Sequence, residues 1–426
     1  MEQRGSMYQV TRLQNGLTVA TAEMPHMTSV SVGLWVGVGG RHEPEALNGI
    51  SHFIEHMLFK GTRKRSAEEI SQAVEGIGGY LNAFTEEENT CFYAKACADR
   101  FDDLLAVLSD MFLNSVFDPR EIDKERDVIK EELASYLDQP HQHVQELLNE
   151  TLWPDHPLGR SLTGTERTIE RLTRREMLEY QAMNYVSAAT LVVAAGNIRH
   201  RQVVKAVEAQ SRKFPAGKRR SFQPYDAPQS QPRVAHVTKD TSQLQLALGI
   251  RTCSRHDERR YALRVLNTIL GDNMSSRLFQ VLREEHGLAY SVHSGLVSFD
   301  DVGALTISAG IDTDKLRQAM KLVMRELRRC VDDLPSAAEI RRARDYLIGQ
   351  LDLSLEGTES QMNWVGEQLL GYGRIIPPAE TKQRIAEVRP AAVRAVAREF
   401  FRPGRMSLAV VSPLKSGRGL VEMLAV

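Results

Sequence analysis

The chain has 426 residues, of which 42% are hydrophobic and 26% are charged, and its formal net charge is −1. This length exceeds that of one ordinary hydrophobic core, so we expect a globular protein with two or more domains. The near-zero charge excludes a global electrostatic attraction to nucleic acid or to an anionic membrane, and no apolar run approaches the length that spans a bilayer, so we predict neither partner.

Segments typical of strands and of helices are intermixed along the chain. Apolar, β-branched runs predict strands at 29–38, 189–198, 244–250 and 304–311. Amphipathic runs at helical spacing predict helices at 67–77, 101–114 and 316–331. Because helices and strands do not alternate strictly, we predict an α+β protein in which helices pack on a mixed or antiparallel sheet.

A polar, proline-rich segment divides the chain into halves of similar size. Residues 214–234 hold four prolines and a basic cluster, and they lack the periodicity of a helix or a strand. We therefore predict an N-terminal domain at 1–214, a linker at 215–232 and a C-terminal domain at 233–426.

The cysteines and the start of the chain bear on its location. Cys91, Cys97, Cys253 and Cys330 form no C-x-x-C pair and show no zinc-ribbon spacing, which fits small buried side chains in a reducing compartment. The first residues contain no apolar segment of the signal-peptide type. We therefore expect no secretory signal and a cytoplasmic location.

Two histidines four residues apart form a candidate metal site in the segment His52-Phe53-Ile54-Glu55-His56. On a helix these histidines project from one face, Glu55 lies on the same side, and the apolar neighbours can pack into a core. Zinc binds imidazole nitrogen well, and a nearby carboxylate can take a proton from the attacking water. The alternative is a core helix with two satisfied histidines.

A third ligand is needed, and the segment "DKERDVIKEELASYL" offers carboxylates. Glu125 and Glu132 are seven residues apart and share one face of a helix, whereas Glu131 is rotated well away. This stripe could supply one ligand and one supporting carboxylate. On the pattern alone, a solvated charged helix face is the simpler interpretation.

The two halves of the chain also show weak sequence similarity to each other. The segments "LWVGVGGRHEPEALNGISHFIEHML" and "LGIRTCSRHDERRYALRVLNTIL" both indicate a strand, an Arg-His and acidic turn, and an amphipathic helix. This order predicts an internal duplication whose second copy has lost the candidate ligands. The residues that then lie opposite one another are His52 and Leu266, Glu55 and Ile269, His56 and Leu270, Glu125 and Ala343, and Glu132 and Gln350.

With "HFIEHMLFKGT", "GGYLNAFTEEENTCFYA" and "ERDVIKEEL" in this order, the chain resembles the pitrilysin (inverzincin) family of zinc peptidases. Within it, the length resembles the mitochondrial processing peptidase beta subunit and its bacterial relatives. The resemblance implies two homologous domains, each a mostly antiparallel sheet packed against helices, that form half of a clamshell. It implies one Zn²⁺ per chain held by His52, His56 and Glu132, with Glu55 as general base and Glu125 as the supporting carboxylate.

The same resemblance implies a substrate-binding strand. The segment "LNAFT" at 81–85 has the alternation of a short strand, and an extended peptide could add to its edge by main-chain hydrogen bonds. An ordinary edge or inner strand is equally consistent with the pattern alone. The resemblance implies that this segment holds substrate, so Asn82, Ala83 and Phe84 are candidates, and it implies extended peptides or unfolded polypeptide as the substrate class.

Arg283 and Tyr290 lie in the second half, in "LREEHGLAYS". Their spacing alone favours a surface arginine and a half-buried tyrosine. The resemblance implies that both contact substrate and stabilise charge on the attacked carbonyl oxygen. Because this chain carries both this pair and the zinc motif, we expect a homodimer that supplies the pair in trans and encloses a chamber. A catalytically inactive scaffold and a peptide-binding module without turnover are the alternatives.

Overall fold

The computed structural model describes residues 7–424, so the outer limits of the two predicted domains, at 1 and 426, lie outside the described residues. The strands are β1 Tyr8–Arg12, β2 Thr18–Glu23, β3 Ser29–Val36, β4 Tyr80–Thr85, β5 Thr90–Cys97, β6 Thr190–Gly196, β7 Arg233–Thr238, β8 Leu244–Thr252, β9 Ala289–Ser298, β10 Gly303–Ile311 and β11 Met406–Ser412. The helices of the first half are α1 Ile50–Leu58, α2 Ala67–Glu75, α3 Phe101–Asn114, α4 Pro119–Asp138, α5 Pro140–Leu152, α6 Glu166–Arg171, α7 Arg174–Asn184 and α8 His200–Ser211. Those of the second half are α9 Arg260–Leu270, α10 Leu316–Asp332, α11 Ala337–Ser354, α12 Thr358–Tyr372, α13 Pro378–Ala386 and α14 Pro390–Phe400.

The strands form two sheets, each with helices packed on it. The first sheet has six strands in the order β1-β2-β6-β3-β5-β4, and the second has five in the order β7-β11-β8-β10-β9. Each contains one parallel pair, β2 with β6 and β7 with β11, and all other neighbours are antiparallel. This arrangement confirms the predicted α+β class with mostly antiparallel sheets. Within residues 7–424, no helix is both long enough and apolar enough to cross a bilayer.

The two sheets share one topology. When β1 is set aside, the order β2-β6-β3-β5-β4 repeats as β7-β11-β8-β10-β9, with the parallel pair in the same place. Helix α1 follows β3 as α9 follows β8, and α3 follows β5 as α10 follows β10. The repeated connectivity supports the duplication that the weak sequence echoes predict.

The compact units are not continuous in sequence, which differs from the predicted domain limits. The first unit contains the residues up to Leu133, then Arg160–Gln223 and Ser354–Ile375, and the second contains the remainder. Helix α12 therefore belongs to the first unit and α5 to the second. Residues 215–232, the predicted linker, form neither helix nor strand. The exchange of helices was not predicted, because hydrophobic periodicity marks a buried helix face without identifying the sheet that covers it.

The first unit has a core on each face of its sheet. Alternate side chains of β3, such as Val32 and Leu34, pack in one cluster with residues of α1 and α3. Trp35 points to the other face, is fully buried, and donates its indole N–H to Met362 Sδ of α12 at 3.3 Å. Gly366, one helical turn further along α12, lets the helix backbone approach the same indole.

The second unit repeats this scheme. Leu246 and Leu248 of β8 pack in the cluster that contains the buried residues of α9 and α10. Ala247 points to the opposite face, where it packs with Leu148 and Leu152 of α5. In both units, a helix from the other half of the sequence thus completes the core.

We expect Gly366→Ala to lower the free energy of unfolding by about 1–3 kcal/mol, the usual cost of overpacking a core. The added Cβ would overlap the buried Trp35 indole, lying 2.7 Å from Cδ2. Gly349→Ala is the matched control, because this glycine also lies in a helix and nothing lies within 4 Å of its added Cβ. Urea unfolding followed by tryptophan fluorescence measures both changes. Equal stability of the two variants would contradict the packing of α12 on Trp35.

Candidate metal centre

Helix α1 presents its polar residues on one side because its apolar residues are buried on the other. Phe53, Ile54 and Met57 are completely buried, whereas His52, Glu55 and His56 are half-buried. The helix begins after Gly49, which has a φ of +93°. A buried carboxylate, that of Glu43, accepts the main-chain N–H of Gly49 at 2.7 Å and that of Ser51 at 2.8 Å. These bonds satisfy donors that a helix start leaves unpaired and so determine where α1 begins.

Helix α4 brings its glutamate stripe to the polar side of α1. Oε2 of Glu132 lies 3.8 Å from Nε2 of His52 and 3.8 Å from Nε2 of His56. One potential ligand atom from each of these three residues lies within 4.8 Å of the others. The structure thus brings together the three predicted zinc ligands.

Glu125 lies one heptad before Glu132 and supports His56. Its Oε2 lies 3.0 Å from His56 Nδ1, its Oε1 lies 2.7 Å from Lys60 Nζ, and the residue is only 5% exposed. Burial alone would raise the pKa of Glu125, but the hydrogen bonds from His56 and Lys60 outweigh it and leave the pKa below its usual value. A carboxylate at Nδ1 holds the proton on that nitrogen, so the lone pair of Nε2 faces Glu132 and His52.

The donor set fits zinc. Tetrahedral zinc ligands about 2.0–2.1 Å from the ion lie roughly 3.3 Å from one another, and the observed separations of 3.8 Å are only slightly wider. Burial, and then the neighbouring His56, lowers the pKa of His52 to about 4, so this imidazole is neutral at neutral pH and can donate a lone pair. Two imidazoles and one carboxylate are a ligand set of catalytic zinc sites, which keep a fourth position open.

Glu55 lies beside this cluster but is not part of the ligand set. Its Oε2 accepts a hydrogen bond of 2.6 Å from the hydroxyl of Thr85, the last residue of β4. Burial raises the pKa of Glu55. A carboxylate of raised pKa beside a metal site is suited to accept a proton from water.

Strand β4 is the last strand in the order of its sheet, so one of its edges has no partner strand among residues 7–424. The N–H of Glu86 donates to the carbonyl of Asn89 at 2.8 Å, which makes these two residues a hydrogen-bonded pair at the end of the hairpin. Because such pairs alternate along antiparallel strands, Asn82 and Phe84 direct their main-chain groups to β5. Ala83 therefore directs its main-chain N–H and C=O to the unpaired edge.

The Asn82 side chain covers part of this edge. Its Oδ1 accepts the N–H of Ala83 at 2.9 Å. On the same strand, the hydroxyl of Tyr80 donates to the carboxylate of Glu359, in the first turn of α12. A side chain that occupies an edge N–H protects the strand from unwanted pairing. Of the three predicted substrate residues, Ala83 thus has main-chain groups at the unpaired edge, and the Asn82 side chain occupies the N–H of Ala83. Phe84 packs edge-on against Trp35.

Arg283 and Tyr290 lie in the second unit. Arg283 belongs to a short π-helix at Phe279–Glu285, and Tyr290 belongs to β9, the edge strand of the second sheet. The guanidinium carbon lies 5.2 Å from the centre of the Tyr290 ring, and Tyr290 is 79% exposed. The two residues therefore form one exposed pair of hydrogen-bond donors.

Three residues with roles at this site were missed by sequence reasoning. Glu43 caps α1, Lys60 pairs with Glu125, and Thr85 holds Glu55. The spacing offered one signal, because Lys60 follows His56 by four residues, and a helix that continued to Lys60 would place it on the same side as His56. The other two contacts depend on how separate elements pack.

Comparison with known protein families gives two matches. Residues 18–166 match the model described as insulinase, peptidase family M16, and residues 171–347 match the model described as the peptidase M16 inactive domain. The first match includes Glu55 and the three candidate zinc ligands, His52, His56 and Glu132. The second includes β7 to β10 of the second sheet, in the half of the chain where the sequence predicts no zinc ligands.

Similar proteins come from several bacteria. An uncharacterized zinc protease of Streptomyces coelicolor is 39% identical over 95% of this chain and 89% of its own length. One of Bacillus subtilis is 37% identical over 94% of this chain and 97% of its own length. The crystal structure of a protease from Helicobacter pylori has the same fold, with a TM-score of 0.90 and 21% identity over 95% of this chain and 99% of that chain.

We expect His56→Ala and Glu132→Ala to abolish stoichiometric zinc binding, because each removes a ligand atom of the cluster. Glu125→Gln should weaken zinc affinity by about 10- to 100-fold, because His56 Nδ1 loses its charged acceptor. Elemental analysis and competition with a fluorescent chelator measure both effects. Glu131→Gln is the control, since this neighbour on α4 is exposed and should leave affinity unchanged. Wild-type zinc affinity in Glu132→Ala would contradict the ligand set.

Proposed function

Because the chain belongs to peptidase family M16, the insulinase family, we propose that it is a zinc-dependent endopeptidase acting on extended peptides or unfolded segments. This membership confirms the resemblance to pitrilysin-type zinc peptidases. The observation that carries the proposal is the convergence of His52, His56 and Glu132 with the carboxylate of Glu55 beside an unpaired strand edge.

Each residue of the candidate site would have a separate role. His52, His56 and Glu132 would hold one zinc ion per chain, since they form the single cluster of this kind among residues 7–424. When bound, zinc supplies a Lewis acid that brings the pKa of a water molecule toward neutrality. Glu55 takes the proton of the attacking water at its carboxylate, and Glu125 keeps the His56 ring oriented through Nδ1.

Substrate would be held as an added strand along β4. The main-chain N–H and C=O of Ala83 face the unpaired edge, so a peptide could pair there once the Asn82 side chain releases the N–H. Pairing of this kind reads main-chain groups, which tolerates many side chains and requires an extended substrate. Folded proteins offer few free main-chain groups and would be poor substrates.

Arg283 and Tyr290 would complete the site from a second copy of the chain. Both side chains are hydrogen-bond donors, and together they suit the charge that develops on the attacked carbonyl oxygen. One chain carries both this pair and the metal cluster, so two copies can supply each other in a homodimer with C2 symmetry. Two such chains facing each other would enclose a chamber that admits extended peptides.

An inactive scaffold and a peptide-binding module are less well supported. Neither function requires two histidines and three carboxylates to converge, and burying such groups is costly unless they serve a site. A scaffold would bind no stoichiometric zinc, and a binding module would hold peptide without turnover.

The cytoplasmic location is likewise a proposal, supported by four cysteines that form no disulfide.

We expect Glu55→Gln to retain zinc and to lower kcat for a quenched fluorescent peptide by about 10²- to 10⁴-fold, the usual contribution of a general base. The amide keeps the size of the side chain but cannot accept the proton. Elemental analysis checks zinc in the same preparation, and Glu131→Gln again serves as the control. Turnover that survives Glu55→Gln would remove that residue from the mechanism.

A mixing experiment tests the supply of Arg283 in trans. We expect Glu55→Gln and Arg283→Ala to be inactive alone and to regain roughly a quarter of wild-type activity after subunit exchange, because half the dimers are mixed and each has one intact site. Sedimentation velocity establishes the dimer, and wild type taken through the same exchange calibrates recovery. Activity no higher than the sum of the separate variants would place Arg283 in cis or outside the site.

A further inference from the structure

Thr85 joins the candidate substrate strand to the candidate general base. Its Oγ1 donates to Glu55 Oε2 at 2.6 Å, across a sequence separation of 30 residues. Strand alternation places the Thr85 side chain on the same face of β4 as Leu81 and Ala83, which pack against the core that contains α1. The strand therefore determines the direction of the Thr85 hydroxyl.

The bond has a consequence for Glu55. A glutamate has several rotatable bonds, and a base acts efficiently only when its carboxylate is held within a fraction of an ångström of the working position. A hydrogen bond from a hydroxyl to an ionised carboxylate is stronger than one between neutral groups. Thr85 engages Oε2, so the oxygen left for the attacking water is Oε1.

We propose that Thr85 is a positioning residue: it holds Glu55 Oε2 so that Oε1 accepts the proton of the attacking water. This inference rests on the proposed peptidase function. Thr85 lies two residues after Ala83, so its main-chain N–H and C=O also point to the unpaired edge of β4. A peptide paired with this edge would thereby order the residue that holds the base. Substrate pairing and proton transfer are connected through one threonine.

The test separates the hydroxyl from the shape of the side chain. Thr85→Val keeps the branched shape and removes the donor, whereas Thr85→Ser keeps the donor and removes the methyl group. We expect Thr85→Val to lower kcat by about 10- to 100-fold, the effect of losing a hydrogen bond to a charged group, with KM unchanged within about twofold. Thr85→Ser should keep kcat within about threefold of wild type.

Two readouts do not depend on turnover. Zinc content and chelator competition should be the same in Thr85→Val and wild type, because the Thr85 hydroxyl bonds Glu55, which is not one of the candidate ligands. Peptide affinity, measured by fluorescence anisotropy in a Glu55→Gln background, should also be unaffected by Thr85→Val. A residue whose role was to bind peptide or to shape the strand would change this affinity.

Thr90→Val is the matched control within the same hairpin. Thr90 lies opposite Thr85 on β5, and its buried hydroxyl donates to the carbonyl of Val38 at 2.9 Å. The chemical change is the same, but the hydrogen bond that is lost goes to a main-chain carbonyl and not to Glu55. We expect Thr90→Val to lower Tm and to leave kcat unchanged.

Several results would overturn the inference. Wild-type kcat in Thr85→Val, equal loss in Thr85→Ser and Thr85→Val, or a raised KM with unchanged kcat would each show that the hydroxyl does not position the base. These outcomes leave the peptidase function standing, because wild type still cleaves peptide with zinc. If wild type loaded with zinc cleaves no peptide and Glu55→Gln behaves identically, the proposed function fails and this inference fails with it.

Discussion

The burial of β3 on both of its faces is the constraint on which the first unit depends. Seven of its eight residues are buried, so apolar helices must cover the sheet from two sides. Helices α1 and α3 cover one side, and the side chains that α1 does not bury are those that meet α4. The other side is closed by α12 from the second half of the chain, through Trp35 and Met362. The position of the candidate metal site is thus a consequence of core packing.

The ionisable side chains at the site are stabilised either by a polar partner or by remaining neutral. Ionised groups that leave water are costly unless each finds a partner. Glu125 is paired with His56 and Lys60, and Glu55 is paired with the Thr85 hydroxyl. His52 avoids the cost by remaining neutral, as its lowered pKa indicates. Such an arrangement offers little to stability compared with apolar packing, which is why it points to chemistry.

The second unit shows that the fold does not need these groups. It repeats the sheet topology of the first, yet the residues that sequence similarity between the halves sets opposite His52, His56 and Glu125 are Leu266, Leu270 and Ala343, all buried in its core. The architecture therefore forms with apolar residues at these positions, so it does not depend on the polar groups of the first unit. The description of the matching family model as an inactive domain agrees with this division.

Local periodicity accounts for what could be predicted. Helix α3 occupies the predicted residues 101–114, β3 begins at the predicted Ser29, and α10 extends one residue beyond the predicted 316–331. The four-residue spacing of His52 and His56 and the seven-residue spacing of Glu125 and Glu132 were visible for the same reason, since residues on one face of a helix recur at regular intervals.

Contacts between distant elements could not be predicted in this way. The pairing of Thr85 with Glu55 spans 30 residues, and the exchange of α5 and α12 follows from which helix covers which sheet. A helix or strand pattern records that a face is buried or polar, but it carries no information about the partner of that face. The amino-acid pattern therefore predicted the elements and the shared helix face of the candidate ligands, and the family resemblance implied zinc, its ligand set and Glu125 as the supporting carboxylate. Only packing in three dimensions decided which hydroxyl contacts Glu55 and which helix completes each core, because these contacts join elements that are distant in sequence.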